Sequence, residues 1–160
     1  MQILVLYFSN GGNTKKLAEA ISKGVDSVDG VDGVLKHTDD VTKEDFVASA
    51  GIIAGSPVYF GVMAAQLKKI FDEFVSVRRK MEGKIGAAFA TSADPSGGKE
   101  TTMMSIIQVM LIYGMVIVGD PMSATGHFGT ACVGAPDSGS LENGMKLGQR
   151  VAELAKKLSG

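Results

Sequence analysis

The segment Ser9-Asn10-Gly11-Gly12-Asn13-Thr14 joins an apolar run to an amphipathic one, and its residue types suit the capture of an anion. Adjacent glycines let the backbone turn its N–H groups toward a bound group, while the Ser9, Asn13 and Thr14 side chains and the positive end of the following helix add further attraction. A phosphate fits such a loop. The segment matches neither GxxxxGK[ST] nor GxGxxG, so neither a nucleoside triphosphatase nor the usual dinucleotide site is indicated. The plainer alternative is a helix start capped by Thr14, because glycine-rich strand-to-helix turns also occur without ligands.

Two more loops gather turn-forming and polar residues: Ser56-Pro57-Val58-Tyr59-Phe60-Gly61 and Thr91-Ser92-Ala93-Asp94-Pro95-Ser96-Gly97-Gly98. Tyr59 or Phe60 suits the face of a flat ligand, against simple packing. Asp94 is either a carboxylate beside such a ligand or, as the following Pro95 favours, a turn starter that bonds its own loop. His127, ahead of Phe128 and Gly129, is a candidate proton carrier at neutral pH, against a solvated loop histidine. Cys132 reads as a small buried thiol and His37 as a strand-surface residue.

The elements that must position these loops follow from hydrophobic period. Residues 2–8 (QILVLYF) form a short apolar, β-rich run of the kind a fully buried strand shows. From Thr14 onward, Leu17, Ile21, Val25 and Val28 recur every three or four residues with Lys15, Lys16, Glu19 and Lys23 between them, which describes an amphipathic helix. Asp29-Gly30 and Asp32-Gly33 signal turns, and residues 34–38 give a second strand nearer the sheet edge. The echo VDSVDGVDGV over residues 25–34 lacks the acidic spacing of a calcium loop and reads as turn chemistry.

Thr42-x-x-Asp45 opens a short helix, and residues 50–55 form an apolar strand ending at Ser56-Pro57. Residues 63–81 read as one helix with Leu67, Ile70, Phe71, Phe74 and Val77 on one face and Arg78-Arg79-Lys80 at its C-terminus. Further strands are expected at residues 84–92 and 115–118, and further helices at 100–113 and 141–158. The helix at 100–113 is apolar around most of its circumference and needs cover on two sides, which predicts a homo-oligomer. Five strand-helix alternations imply parallel strands with right-handed crossovers, hence an α/β fold with a doubly wound five-stranded sheet in the order 2-1-3-4-5. Ligands of such sheets bind beyond the carboxyl ends of the strands, where the three loops lie.

Bulk properties agree with one domain spanning residues 1–160: 45% of residues are hydrophobic and 21% charged. Sixteen basic and seventeen acidic residues leave a formal charge of -1, with no footprint for nucleic acid. A single cysteine excludes an internal disulfide and, with two histidines, leaves no metal-ligand spacing. A reducing, cytoplasmic setting is expected, and neither a membrane span nor a leader is indicated.

The strand, S-x-x-G-N-T loop and K-x-L-A-x-A-I helix together resemble the flavodoxin-like FMN proteins. Ser56-Pro57-Val58-Tyr59-Phe60-Gly61-Val62-Met63, followed by Gln66-Leu67-Lys68-x-x-x-Asp72, resembles their NAD(P)H:quinone oxidoreductase branch, the tryptophan-repressor-binding-protein type, whose loop reads P-x-x-F-G-x-M. Gly97-Gly98-x-Glu100, Gly114-Met115-Val116-Ile117-Val118 and Val151-Ala152-x-Leu154-Ala155 keep that family's order along nearly the whole chain.

The resemblance implies FMN held noncovalently, with its phosphate at Ser9, Asn10, Gly11, Gly12, Asn13 and Thr14. Its ring would lie between Pro57, Val58, Tyr59, Phe60 and Gly61 on one side and Thr91, Ser92, Ala93, Asp94, Gly97 and Gly98 on the other. It further implies NADH or NADPH as electron donor and a quinone or similar acceptor, while the homo-oligomer expected from the apolar helix at 100–113 would be a homodimer or homotetramer. Where the family often has two histidines before G-M-V, this chain has Ile112-Tyr113, so a possible quinone-site histidine is missing. A flavodoxin-type electron carrier is the alternative, although such carriers are usually strongly acidic. A phosphoacceptor receiver domain is excluded, because Ser9-Asn10 and Gly55-Ser56 stand where its acidic residues would be.

Overall fold

The computed structural model describes residues 1–159. Strand β1 (Gln2–Tyr7) is buried from Ile3 to Tyr7, so it has apolar neighbours on both faces and lies inside the sheet. It pairs in parallel with β2 (Asp32–His37) on one side and with β3 (Gly51–Tyr59) on the other. Strand β5 (Ile85–Ser92), buried throughout, continues the parallel ladder from β3. Helices cover both faces. Leu4, Leu6, Ile52 and Ala54 face one core, shared with α2 (Lys43–Ala48), α3 (Ala65–Glu73) and α4 (Lys99–Ile112). Ile3, Val5, Ile53 and Phe89 face the other, under α1 (Asn13–Asp26) and α5 (Ser138–Ser159).

The α1–α5 contact is tight because its glycines allow it. A Cβ on Gly24 would collide with the Met145 carbonyl, and one on Gly148 with the Ile21 carbonyl. Backbone-to-backbone approach therefore fixes the rotation of α1, and with it the loop that precedes α1. On the opposite face, Thr42 and Asp45 form the expected capping box at the start of α2. Lys84 closes its end by donating to the Phe46 and Val47 carbonyls at 3.2 and 2.6 Å.

Three expectations need correction. The fifth strand is not one run over residues 115–118. It is divided into β6 (Val116–Ile117), beside the start of β5, and β7 (Gly129–Val133), beside its end, so both occupy the fifth place in the order 2-1-3-4-5. Gly119 makes the interruption close: a Cβ there would strike the His127 carbonyl, so the intervening loop leaves and rejoins the strand line at one point.

The helix expected at 63–81 is also divided. Val62–Met63 (β4) turns back on Val58–Tyr59 as a hairpin, α3 follows, and Val75–Met81 is 3₁₀. β-branched Val75 and Val77 disfavour continuation of the α-helix. Arg78 consequently serves another helix end than its own, its Nε donating to the Ile112 carbonyl at 2.6 Å at the C-terminus of α4. Finally, Asp32 and Gly33 belong to β2 rather than to a turn. The Gly33 N–H is held by Asp26 Oδ1 at 2.7 Å.

Candidate functional site

The carboxyl ends of β1, β3 and β5 open into a cleft of about 200 Å³. Eleven of the sequence-predicted residues line it: Ser9, Asn10, Gly11, Asn13, Thr14, Pro57, Val58, Tyr59, Thr91, Ser92 and Ala93. Gly12 stands among them at φ 87°, the left-handed region that glycine occupies without cost, and it is the residue on which α1 begins. Its N–H donates to Ser9 Oγ at 3.1 Å, which holds the loop in shape. No side chain caps α1 and no acidic residue stands in its first turn. The reading of a Thr14-capped helix is thereby overturned: the Thr14 hydroxyl lies instead 2.8 Å from that of Thr91.

An uncapped helix start leaves first-turn N–H groups and the positive end of the helix facing the cleft, which is the physical definition of an anion site. A Cβ on Gly11 or Gly12 would meet no protein atom within 4 Å, so both residues border open space. Tyr59, 39% exposed, stands at the rim with its ring 6.3 Å from that of Phe8. Ser56, fully buried, shapes this wall: its hydroxyl donates to the Pro57 carbonyl at 2.7 Å and accepts from Ala64 N–H at 2.8 Å.

The remaining candidates are outside the lining of this cleft. Phe60 is fully exposed at φ 53°, a conformation uncommon for a non-glycine residue, at the tip of the hairpin. Gly61 packs against Gly98, whose Cβ would come 3.0 Å from the Gly61 Cα, and Gly97 fits under the Ser92 hydroxyl. Asp94 is a turn residue, its Oδ1 accepting from Ser96 N–H at 2.8 Å. His127 lines a second cleft of about 270 Å³ with Lys99, Met103, Thr125, Phe128 and Asn143. The cleft of residues 9–14 does not include it.

Asp120 is a buried acid that the sequence reading passed over. Burial opposes its charge, but the Thr125 hydroxyl and the backbone N–H groups of His127 and Thr125 outweigh this and hold its carboxyl below the usual carboxylate range. It accepts from Thr125 N and Oγ1 at 2.9 and 2.5 Å, from Gly126 N at 3.1 Å and from His127 N at 2.8 Å. Asp120-Pro121 ahead of Thr125-Gly126 was the available signal.

Cys132 is buried as expected, and burial together with Asp137 pushes its thiol up to about 11. It is protonated and unreactive at neutral pH. Tyr7 at the end of β1 is raised by burial and by Glu19 and Asp40, so it too stays neutral. His37 is half-buried on the edge strand β2, its ring 5.3 Å from that of Tyr7. Among the described residues there is no metal-ligating cluster and no helix long and apolar enough to cross a membrane.

A doubly wound sheet with an uncapped, glycine-started helix at its switch point defines a flavodoxin-like protein. The chain belongs to the NADPH-dependent FMN reductase family, whose pattern matches residues 1–130. It is 34% identical to a flavodoxin of Aquifex aeolicus across 95% of this chain and 85% of that one. It is 33% identical to an NAD(P)H dehydrogenase (quinone) of Archaeoglobus fulgidus across 98% of each. In three dimensions it resembles the flavodoxin, WrbA-like protein from Agrobacterium tumefaciens, with a TM-score of 0.85, 25% identity and 98% of both chains covered. The family resemblance drawn from the first and second loops is thus borne out.

Proposed function

We propose that the protein is an FMN-dependent oxidoreductase that passes electrons from NADH or NADPH to a quinone or similar small acceptor. The observation that carries this reading is the convergence of three strand-end loops on one cleft whose anion end is an uncapped helix start. FMN fits these residues, since its phosphate asks for N–H donors and its ring for a flat apolar wall. Residues 9–14 would hold the phosphate, with Pro57, Val58 and Tyr59 on one side of the ring and Thr91, Ser92 and Ala93 on the other. Bound FMN supplies the hydride and electron chemistry.

The chain's own part is to orient and exclude water, and no triad of nucleophile, base and orienting acid is required. Donor and acceptor share one open cleft, so they occupy it in turn and ping-pong kinetics are expected. The test is an absorption spectrum before and after adding FMN, then NADH or NADPH oxidation with benzoquinone. An FMN-loaded protein without turnover would sink the enzymatic reading.

The similarity to a flavodoxin across 95% of this chain keeps a carrier of single electrons as the second reading. A net charge of -1 offers little steering toward a protein partner, which favours the enzyme. A redox titration resolving two well-separated one-electron steps, with no pyridine-nucleotide oxidation, would reverse that preference. The proposal includes a cytoplasmic setting, with which the single buried thiol agrees. It also includes a homodimer or homotetramer that covers the outer face of α4.

A further inference from the structure

Thr14 and Thr91 are 77 positions apart in the chain, yet their hydroxyl oxygens lie 2.8 Å from each other in a buried contact. Thr14 is in the first turn of α1 and Thr91 near the end of β5, so the bond ties the phosphate end of the cleft to its opposite wall. Both residues are at least 95% buried, at 2% and 5% exposure, and neither hydroxyl makes another hydrogen bond among the described residues. A hydroxyl owns one proton and two lone pairs. One threonine therefore spends its proton within the pair, and the other keeps its proton for a third group.

We propose that Thr91 is a positioning residue for the ligand's phosphate: its O–H donates to Thr14 Oγ1 and leaves the Thr14 O–H to be given to the anion. This rests on the FMN reading above. The direction follows from charge. A hydrogen bond to an anion is roughly twice as strong as one between neutral groups, so the threonine at the helix start gives its proton to the phosphate. The reverse arrangement would turn a Thr14 lone pair toward negative charge. With its proton committed to Thr14, Thr91 has none to donate to the ring or the ribityl chain, so its O–H acts on the ligand through the Thr14 hydroxyl and the phosphate.

FMN and riboflavin differ only in that phosphate, and they separate the possibilities. Fluorescence titration of the full chain should show Thr91→Val weakening FMN about fivefold, the worth of one neutral hydrogen bond. Riboflavin affinity should change less than twofold. Thr91→Ser, which keeps the hydroxyl, should restore FMN binding. Adding Thr91→Val to Thr14→Val should cost FMN less than a further twofold, because the pair acts as one unit.

Equal losses for FMN and riboflavin would overturn the proposal and make Thr91 a direct ring or ribityl contact. Additive losses in the double variant, or FMN affinity unchanged by Thr91→Val, would overturn it while leaving the FMN reading intact. A wild-type chain that binds neither flavin would remove both. Melting temperatures of the variants, compared with Thr91→Ser, distinguish lost binding from lost folding.

Discussion

Asn13 is where a single charge would separate the two things that a helix start can do. A carboxylate in the first turn of α1 interacts favourably with the helix dipole, worth about 0.3–1 kcal/mol. The same carboxylate repels a phosphate held by the same N–H groups, by roughly 3 kcal/mol per unit charge at about 5 Å and an effective dielectric near 20. Asn13→Asp is therefore expected to keep or slightly raise the melting temperature of the ligand-free protein while weakening FMN by roughly a hundredfold or more. Thermal melts and FMN titration check the two signs, and unchanged FMN affinity would contradict the role of residues 9–14. Most of this loop was legible in the sequence because glycine spacing and strand-to-helix position are local properties. The placement of the Thr14 hydroxyl was not, since it lies against that of Thr91, a partner distant in the chain. Local propensity could only offer a cap.

The loop between β6 and β7 shows the same division among elements. Its ends meet at Gly119 and His127, and its interior is organised by the Asp120 carboxylate, which is almost fully buried at 2% exposure. The Asp120 carboxyl is held below its ordinary value, so its stabilisation is present above the unfolded pKa near 4. It is lost as the pH falls through the lower folded value. Asp120→Asn removes the charge from four hydrogen bonds and should cost about 1–3 kcal/mol at neutral pH. The variant should also lose less stability than the parent between about pH 5 and pH 3. Urea unfolding at several pH values reads both effects; parallel acid limbs would refute them. Helices α1 and α5 were readable from apolar period, α2 from its capping box, and α4 as a long apolar run after the Gly97-Gly98 turn. The broken fifth strand was not, because a two-residue β6 and a five-residue β7 rely on β5 for their pairing and carry too little pattern of their own.

At the scale of the molecule, α4 presents two apolar faces, and only one is used within the chain. Met103, Ile106, Ile107 and Met110 fill the core, whereas Met104, Leu111 and Ile112 are exposed, the last two at 56% and 65%. Val75 and Val116 are also exposed, and Val116 follows closely after the end of α4. With a net charge of -1, there is little repulsion between copies to keep such a surface apart. The expected outcome is a light-scattering mass of two or four chains at micromolar concentration, falling toward one chain on dilution. Replacing Leu111 and Ile112 together by lysine should shift the protein to the monomer without changing its circular dichroism, since neither side chain belongs to the buried core. FMN affinity then becomes the informative companion measurement. If it survives in the monomer, the cleft is complete within one chain; if it falls with dissociation, a neighbouring copy closes over the loops. A wild-type chain that remains monomeric at every concentration would refute the oligomer and leave the exposed face of α4 for another kind of partner.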